Sequence, residues 1–172
     1  MSLTFQIEPI AQAWNELMVL VSEHWAGTKS YRRHEPLNPS YERYKACNES
    51  GFLVFFTARD RERLAGYFIL YLTTSMHSQL SMAVEDTFFL SPPYRGGTNA
   101  YRFLKMVKAQ CQAWGVHEIL FSCEIDNETG IQGLLKKLDF IPVIVQHSCV
   151  LTPVLPAYSG ISDKEIPADV RT

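Results

Sequence analysis

A strand-like run that turns directly into a long amphipathic helix restricts the fold of this chain more than any other feature. The run Ala83–Leu90 is rich in apolar residues, Ser91-Pro92-Pro93 breaks it, and a glycine-containing turn, Tyr94–Asn99, follows. The helical pattern then continues to Gly115, a residue type that commonly ends helices. Its apolar face holds Ala100, Phe103, Leu104, Val107, Cys111 and Trp114. This arrangement favours a mixed α/β domain.

The remaining patterns add strands and helices on both sides of this unit. Strands are predicted at Leu3–Ile7, Phe52–Thr57, Ala65–Leu72, Ala83–Leu90, Ile119–Cys123 and Ile141–Leu151. Helices are predicted from Pro9 to Gly27, from a cap at Asn38 with Pro39 to Ser50, from Ala100 to Gly115 and over Glu128–Leu138. In the first helix, Trp14, Leu17, Met18, Val21 and Trp25 form the apolar face. This order predicts one α/β domain, residues 1–151, with helices on both faces of one mixed sheet and a flexible tail, 152–172.

Charge and cysteine content exclude several classes of function. The net charge is −2, whereas nucleic-acid binders usually carry a basic excess, so no nucleic-acid partner is expected. The four cysteines have neither CxxC pairs nor zinc spacing, so no metal is expected, and Cys111 and Cys123 are predicted to be buried free thiols. No apolar run could span a bilayer and no secretory leader is visible, which favours a cytoplasmic protein without a membrane partner.

The glycine-containing turn has the features of an anion site. A helix start presents free backbone N–H groups, and Gly96 and Gly97 let the chain turn closely around a ligand, with Arg95 adding a cation. The segment is neither a Walker loop nor a dinucleotide fingerprint, because it has no Gly-Lys-Ser/Thr and too few glycines. A plain strand-to-helix connection is the other interpretation of the same residues.

Two segments resemble the GNAT superfamily of N-acetyltransferases. The run Arg95-Gly96-Gly97-Thr98-Asn99-Ala100 resembles the acetyl-CoA signature Arg/Gln-x-x-Gly-x-Gly/Ala, with Thr98 at the middle glycine position. The run Leu134–Phe140 resembles the family's Leu-Tyr-x-x-x-Gly-Phe, with Leu135 in place of the tyrosine and Asp139 in place of the glycine. The stretch Tyr41–Leu151 is similar to GNAT-like proteins of phages and prophages, which often carry Tyr-Arg-Gly-Gly in this loop.

The resemblance implies the GNAT fold and acetyl-CoA as the cofactor. It places the pantetheine arm between two splayed parallel strands, those that end at Leu90 and near Cys123. Backbone groups of Phe88, Phe89 and Leu90 are then expected to bind the arm, and the amides from Arg95 to Ala100 the pyrophosphate. Asn127 is expected either to contact the arm or to cap the next helix, and capping is the simpler role.

Two neighbouring carboxylates are the candidates for the catalytic base. The resemblance places Asp86 at the family's usual acidic position, and Glu85 precedes it. Strand alternation sends the two side chains to opposite faces, so only one should point into the cleft, and a bulge would reverse the choice. His77, in the preceding loop, is a further candidate. The alternative interpretation is that both carboxylates simply lie in solvent at the start of the strand.

The acceptor remains open at this stage. The resemblance implies direct attack of a primary amine on the thioester, with a protein, polyamine, aminoglycoside-like or other small amine as acceptor. Aromatic residues in Tyr31–Tyr44 are candidates for a pocket on the acceptor side. Thr98 and Leu135 leave an inactive acyl-CoA-binding protein, or a phage interaction module, as alternatives, and a homodimer is also left open.

Overall fold

A five-stranded sheet forms the centre of the protein in this computed structural model, which describes residues 3–27, 36–123 and 130–143. The strands lie in chain order: β1 (Thr4–Ile7), β2 (Leu53–Asp60), β3 (Arg63–Thr74), β4 (Ser81–Leu90) and β5 (Glu118–Leu120). Neighbours from β1 to β4 are antiparallel, whereas β4 and β5 are parallel. The mixed sheet expected from the sequence is therefore confirmed.

Helices cover both faces of the sheet. The helices are α1 (Ile10–Gly27), α2 (Tyr41–Glu49), α3 (Asn99–Ala113) and α4 (Ile131–Lys137). One core cluster joins α1 and α2 to Tyr67 and Ile69 of β3, and a second joins α3 and α4 to Phe68 and Leu70. Because both faces are covered, β2 and β3 read as continuous apolar runs rather than alternating ones.

The first helix packs with a face slightly rotated from the predicted one. Its buried residues are Ile10, Ala13, Leu17 and Leu20. Trp14, Met18 and Val21 are only partly buried at the flank of this cluster. Large side chains dominated the sequence pattern, but the smaller Ala13 is among the buried residues of the helix.

The second helix begins later than predicted. Ser40, not Asn38, is the N-cap, and its hydroxyl accepts a hydrogen bond from Arg43 N at 3.3 Å. Asn48, near the end of α2, accepts from Ile10 N and donates to Leu53 O, both at about 3 Å. These two bonds join α2 to the start of α1 and to β2.

The third helix ends as predicted, with Gly115 at a φ of 73°. Trp114, expected on its apolar face, is instead 43% exposed at the helix end. Cys111 is buried, as expected. Cys123 is exposed, so the prediction that it is buried was wrong, because β5 ends at Leu120 and Cys123 lies beyond the strand.

Charged groups tie β1, β2 and α1 together. Arg59 Nε and Nη2 donate to the two carboxylate oxygens of Glu8 at 2.6 and 2.7 Å, and Arg59 Nη1 reaches Glu16 at 3.2 Å. Burial alone would raise the pKa of Glu8, but the hydrogen bonds from Arg59 and Thr57 outweigh it and lower that pKa to about 2.

Several predictions fall outside the described residues. These are Asn127, the start of the helix predicted from Glu128, most of the strand Ile141–Leu151, the tail 152–172 and the loop around Tyr31. In the part that the structure describes, no helix combines the length and apolarity needed to cross a membrane.

Candidate active site

The parallel strands β4 and β5 run side by side only at their beginnings. Met82–Val84 pairs with Glu118–Leu120, after which β5 ends and β4 continues to Leu90. Where the strands part, Ser122 N donates to Glu85 Oε2 at 3.2 Å. The predicted parallel pair is therefore present, and no described strand pairs with Glu85–Leu90 on the β5 side; this unpaired edge is called the opening below.

Phenylalanine rings form the wall of this opening on the α3 side. The ring centroid of Phe88 lies 5.7 Å from that of Phe68, 6.0 Å from Phe103 and 6.2 Å from Phe121. Phe121, which follows β5, is also 6.3 Å from Phe140. The opening therefore has a largely apolar wall, which suits a narrow, uncharged ligand segment.

The connection from β4 to α3 is fixed at several points. Ser91 Oγ donates to Glu23 of α1 at 2.7 Å, and the Tyr94 hydroxyl donates to Asp60 of β2 at 3.0 Å. Asn99 Nδ2 donates to Tyr94 O at 3.1 Å and closes the turn. Tyr94 is 8% exposed and anchors a 3₁₀ turn over Pro92–Tyr94. These three hydrogen bonds fix the connection between β4 and α3.

The glycine turn itself remains open to a ligand. Gly97 has a φ of 68°, and a Cβ added at either Gly96 or Gly97 would meet no atom within 4 Å. Thr98 occupies the cap position of α3 without a capping bond from its side chain, so the first N–H groups of the helix are not covered by it. A cavity of about 680 Å³ lies here, lined by Pro93, Tyr94, Gly96, Gly97, Thr98, Asn99 and Arg102.

Arg102 is a cation in this cavity that the sequence analysis did not single out. It lies in the first turn of α3, donates to Leu3 O at 3.4 Å and stands 5.2 Å from the Phe5 ring. A positive charge near a helix N-terminus opposes the helix dipole, unless an anion lies between them. That unfavourable placement is the sequence signal that could have marked Arg102 as a candidate.

A bulge in β4 includes one of the two carboxylates. Glu85 lies opposite Leu70 of β3 and Thr87 opposite Ile69, so Asp86 is an extra residue without a partner. Glu85 therefore shares the α3 side with Leu70 and reaches towards β5. Asp86 interacts with Tyr71, which packs on the α1 side. The two carboxylates thus lie on opposite sides, as simple alternation predicts, and the effect of the bulge is to place Asp86 and Thr87 on the same side.

Comparison with known proteins identifies the family. The model of the acetyltransferase (GNAT) family matches residues 14–140. The chain belongs to the GNAT family of acetyltransferases. A sequence search of curated proteins found no significant match.

Solved structures agree on the fold of this GNAT chain. An aminoglycoside acetyltransferase, meta-AAC0020, from an uncultured soil metagenomic sample superposes with a TM-score of 0.72 at 10% identity, covering 87% of this chain and 97% of that one. Ribosomal-protein-alanine N-acetyltransferase from Brucella melitensis gives 0.65 at 14% identity, covering 87% and 100%. Glucosamine-6-phosphate N-acetyltransferase from Arabidopsis thaliana gives 0.65 at 10%, covering 88% and 100%.

In this GNAT chain both carboxylates resist ionisation. Burial raises the pKa of Glu85 to about 7, the Ser122 amide partly offsets this, and the charge of Asp86 adds to it. Burial also raises the pKa of Asp86, although a hydrogen bond from Tyr71 opposes the rise. Asp86 remains accessible to solvent, while surrounding protein atoms restrict its hydration. A carboxylate of this kind is a stronger base than an ordinary aspartate.

Aromatic and hydroxyl groups surround Asp86 on the α1 side of the GNAT sheet. Burial, together with the charge of Asp86, raises the pKa of Tyr44 on α2. Trp14 of α1 packs against Tyr44 with ring centroids 5.7 Å apart. His24 lies 3.0 Å from the Tyr67 hydroxyl, and burial, with a smaller contribution from Arg95, lowers its pKa. This face includes part of the aromatic region expected on the acceptor side.

His77, the other base considered from the sequence, lies in the loop between β3 and β4. Its side chain is exposed. Asp86, by contrast, lies on the strand beside the opening, so the strand carboxylate is the better placed of the two.

The structure describes the surroundings of three GNAT signature positions. Arg95 turns back, donating from Nε to Leu90 O at 2.8 Å and lying 5.2 Å from the Phe89 ring, so it braces the end of β4. Asp139 adopts a φ of 64°, a conformation that glycine adopts most easily. Leu135 is buried at 8% exposure and offers no proton.

Proposed function

We propose that this protein transfers an acetyl group from acetyl-CoA to a primary amine by direct attack on the thioester. One observation carries the proposal: beyond its short ladder with β5, β4 continues from the two carboxylates through Leu90 without a described partner on that side and leads to the uncovered start of α3, and we call this route the path. Acetyl-CoA supplies an activated acetyl group at one end and a pyrophosphate at the other. Along the path, the apolar wall follows the carboxylates and the anion site lies at the start of α3. This matches the order of acetyl group, arm and pyrophosphate in acetyl-CoA.

The residues of this path fit the cofactor. Amides of Arg95–Ala100 would hold the pyrophosphate, with Arg102 as the neighbouring cation. Backbone groups of Phe88–Leu90 would bind the arm, although Leu90 O already accepts a bond from Arg95. Asn127 is proposed as a further contact or a helix cap.

Asp86 is proposed as the base that accepts a proton from the attacking amine. Its position on the α1 side, beside Tyr71 and Tyr44, leaves the opposite side of the strand to the cofactor. Alignment of amine and thioester would supply about 7–11 kcal/mol of the barrier reduction, and the carboxylate a smaller part. The acidic and aromatic side chains around this position suit a cationic amine, whether the acceptor is a protein or a small molecule such as an aminoglycoside or polyamine.

The cofactor claim is tested by binding. Gly96→Asp places a carboxylate in the anion site with room for its side chain, so it should abolish the rise in melting temperature that CoA causes in the native protein. Gly27→Asp adds the same charge at the end of α1, also in open space, and should leave CoA binding intact. Gly97 is the poorer choice, because its φ of 68° would strain any side chain. Unchanged CoA affinity in folded Gly96→Asp would contradict the anion site.

The base is tested by kinetics against a panel of aminoglycosides, polyamines and peptide N-termini. With any acceptor found, Asp86→Asn should lower kcat about a hundredfold, and the residual rate should rise with pH as solution deprotonates the amine. CoA affinity should be unchanged, since Asp86 faces the other side of the strand. Full activity of Asp86→Asn would refute its role as base.

A protein that binds acyl-CoA without turnover is the second candidate. The buried Leu135 favours it, because this position lacks the tyrosine of the resembling motif. CoA binding together with no thiol release for any amine of the panel would support this candidate over the transferase.

A further inference from the structure

We propose that Glu85 is the acid that protonates the departing CoA sulfur, so that the two sides of β4 carry a base, Asp86, and an acid, Glu85. This inference rests on the proposed function. Glu85 is then the acid of the reaction, and no longer an alternative to Asp86 as the base.

The geometry of the opening places Glu85 at the end where the thioester would lie. The strands part after the pair Val84 and Leu120, so the opening is closed there and free towards Leu90. A ligand anchored by its pyrophosphate at the start of α3 and extended back along β4 would bring its other end to the closed side. The stretch from Glu85 to Leu90 rises by roughly 17 Å at about 3.3 Å per residue, which suits an extended arm.

The Glu85 carboxylate occupies that closed end. Its Oε2 accepts the Ser122 amide at 3.2 Å, so the side chain spans the gap between the parting strands. The surroundings on the α3 side are apolar, with Leu70 opposite and the Phe88 ring further along the same side. A thiolate released into such surroundings would be poorly solvated and would need a proton donor.

The environment of Glu85 suits an acid that is regenerated in each cycle. Burial raises its pKa to about 7, so much of it is protonated at neutral pH. After donation, the Ser122 amide stabilises the resulting carboxylate. The charge that acts on Glu85 is that of Asp86 on its own strand, while β3 contributes the uncharged Leu70 and β5 the Ser122 amide.

The proposed transfer balances in atoms and charge. The amine nitrogen forms a bond to the carbonyl carbon and gives a proton to Asp86. The carbon–sulfur bond breaks, its electron pair goes to sulfur, and sulfur takes the proton of Glu85. Products are an amide and free CoA thiol, with Asp86 protonated and Glu85 ionised; exchange of one proton with water at each group restores the starting state.

Titration of bound CoA tests this role without an acceptor. The ultraviolet absorbance of the CoA thiolate is followed with pH in the complex, with the desulfo-CoA complex subtracted to cancel the protein's own cysteines. In the native protein the ionised Glu85 beside the thiol should raise the thiol pKa, so Glu85→Gln should lower the titration midpoint by about one pH unit. Glu118→Gln, an exposed carboxylate on β5, should leave it unchanged.

Kinetics supply the second readout. With an acceptor from the panel, Glu85→Gln should lower kcat about a hundredfold at unchanged KM for acetyl-CoA, and the decline of kcat above pH 7 should disappear. If the native protein fails to bind CoA, the proposed function is wrong. If it binds CoA and the thiol titrates identically in the native protein and Glu85→Gln, only the role of Glu85 is wrong.

Discussion

Replacing Glu85 with glutamine should make the folded protein more stable at alkaline pH and change it little in acid. The pKa of Glu85 rises from 4.5 to about 7 on folding. At about 1.4 kcal/mol per pH unit, ionising this group in the folded state costs about 3 kcal/mol. Because the folded pKa is the higher one, the contribution of Glu85 to stability is most favourable below pH 4.5, and this amount is lost between pH 4.5 and 7. Glutamine stays neutral and can still accept the Ser122 amide.

Urea unfolding of both proteins at pH 5 and pH 8 measures this difference. Glu85→Gln should exceed the native protein by about 3 kcal/mol at pH 8 and by much less at pH 5. Glu118→Gln serves as a matched control and should give the same small change at both pH values. In an Asp86→Asn background the effect should persist but shrink, because the charge of Asp86 contributes to the raised pKa. An equal difference at pH 5 and pH 8 would refute the burial of Glu85.

Two further predictions concern the framework around the site. Gly66→Ala should destabilise the fold by about 2 kcal/mol in denaturant unfolding, because the added Cβ would lie 2.6 Å from Phe89 O; Gly27→Ala, with open space around it, should cost little. Arg59→Met should cost about 3 kcal/mol by leaving Glu8 buried without its partner. Since the pKa of Glu8 is lowered to about 2, its stabilising contribution is complete above pH 4.5 and is lost as pH falls towards 2, and Arg59→Met should abolish that dependence in acid titrations. A native-like acid titration in Arg59→Met would contradict the assigned network.

The sequence predicted the fold and the glycine turn before α3 because their signals are local. Apolar spacing and the glycine at 115 determine the extent of α3, and the pair Gly96 and Gly97 marks the turn whatever surrounds it. The same locality explains the failures at the helix ends. Asn38 and Ser40 are both good caps, and the choice of Ser40 depends on where α2 packs against α1 and β2.

The carboxylates could not be placed from the sequence, because a bulge is a property of two paired strands. Nothing in Glu85 and Asp86 themselves shows that Leu70 and Ile69 will pair with Glu85 and Thr87. Their pKa values depend in turn on that pairing. Cys123 illustrates the same limit, since its exposure follows from the early end of β5.

The bulge also makes the length of β4, and not only its composition, matter. Before it, odd-numbered residues such as Ala83 and Glu85 face the α3 side; after it, even-numbered residues such as Phe88 and Leu90 do. Deleting the extra residue, Asp86, would leave an unbroken ladder with the other residues of β4 on their present faces, whereas a deletion elsewhere in the strand would turn one part of it over. In evolutionary terms β4 can accept substitutions at many positions, but a gain or loss of one residue away from the bulge would exchange the two faces of part of the strand in a single step.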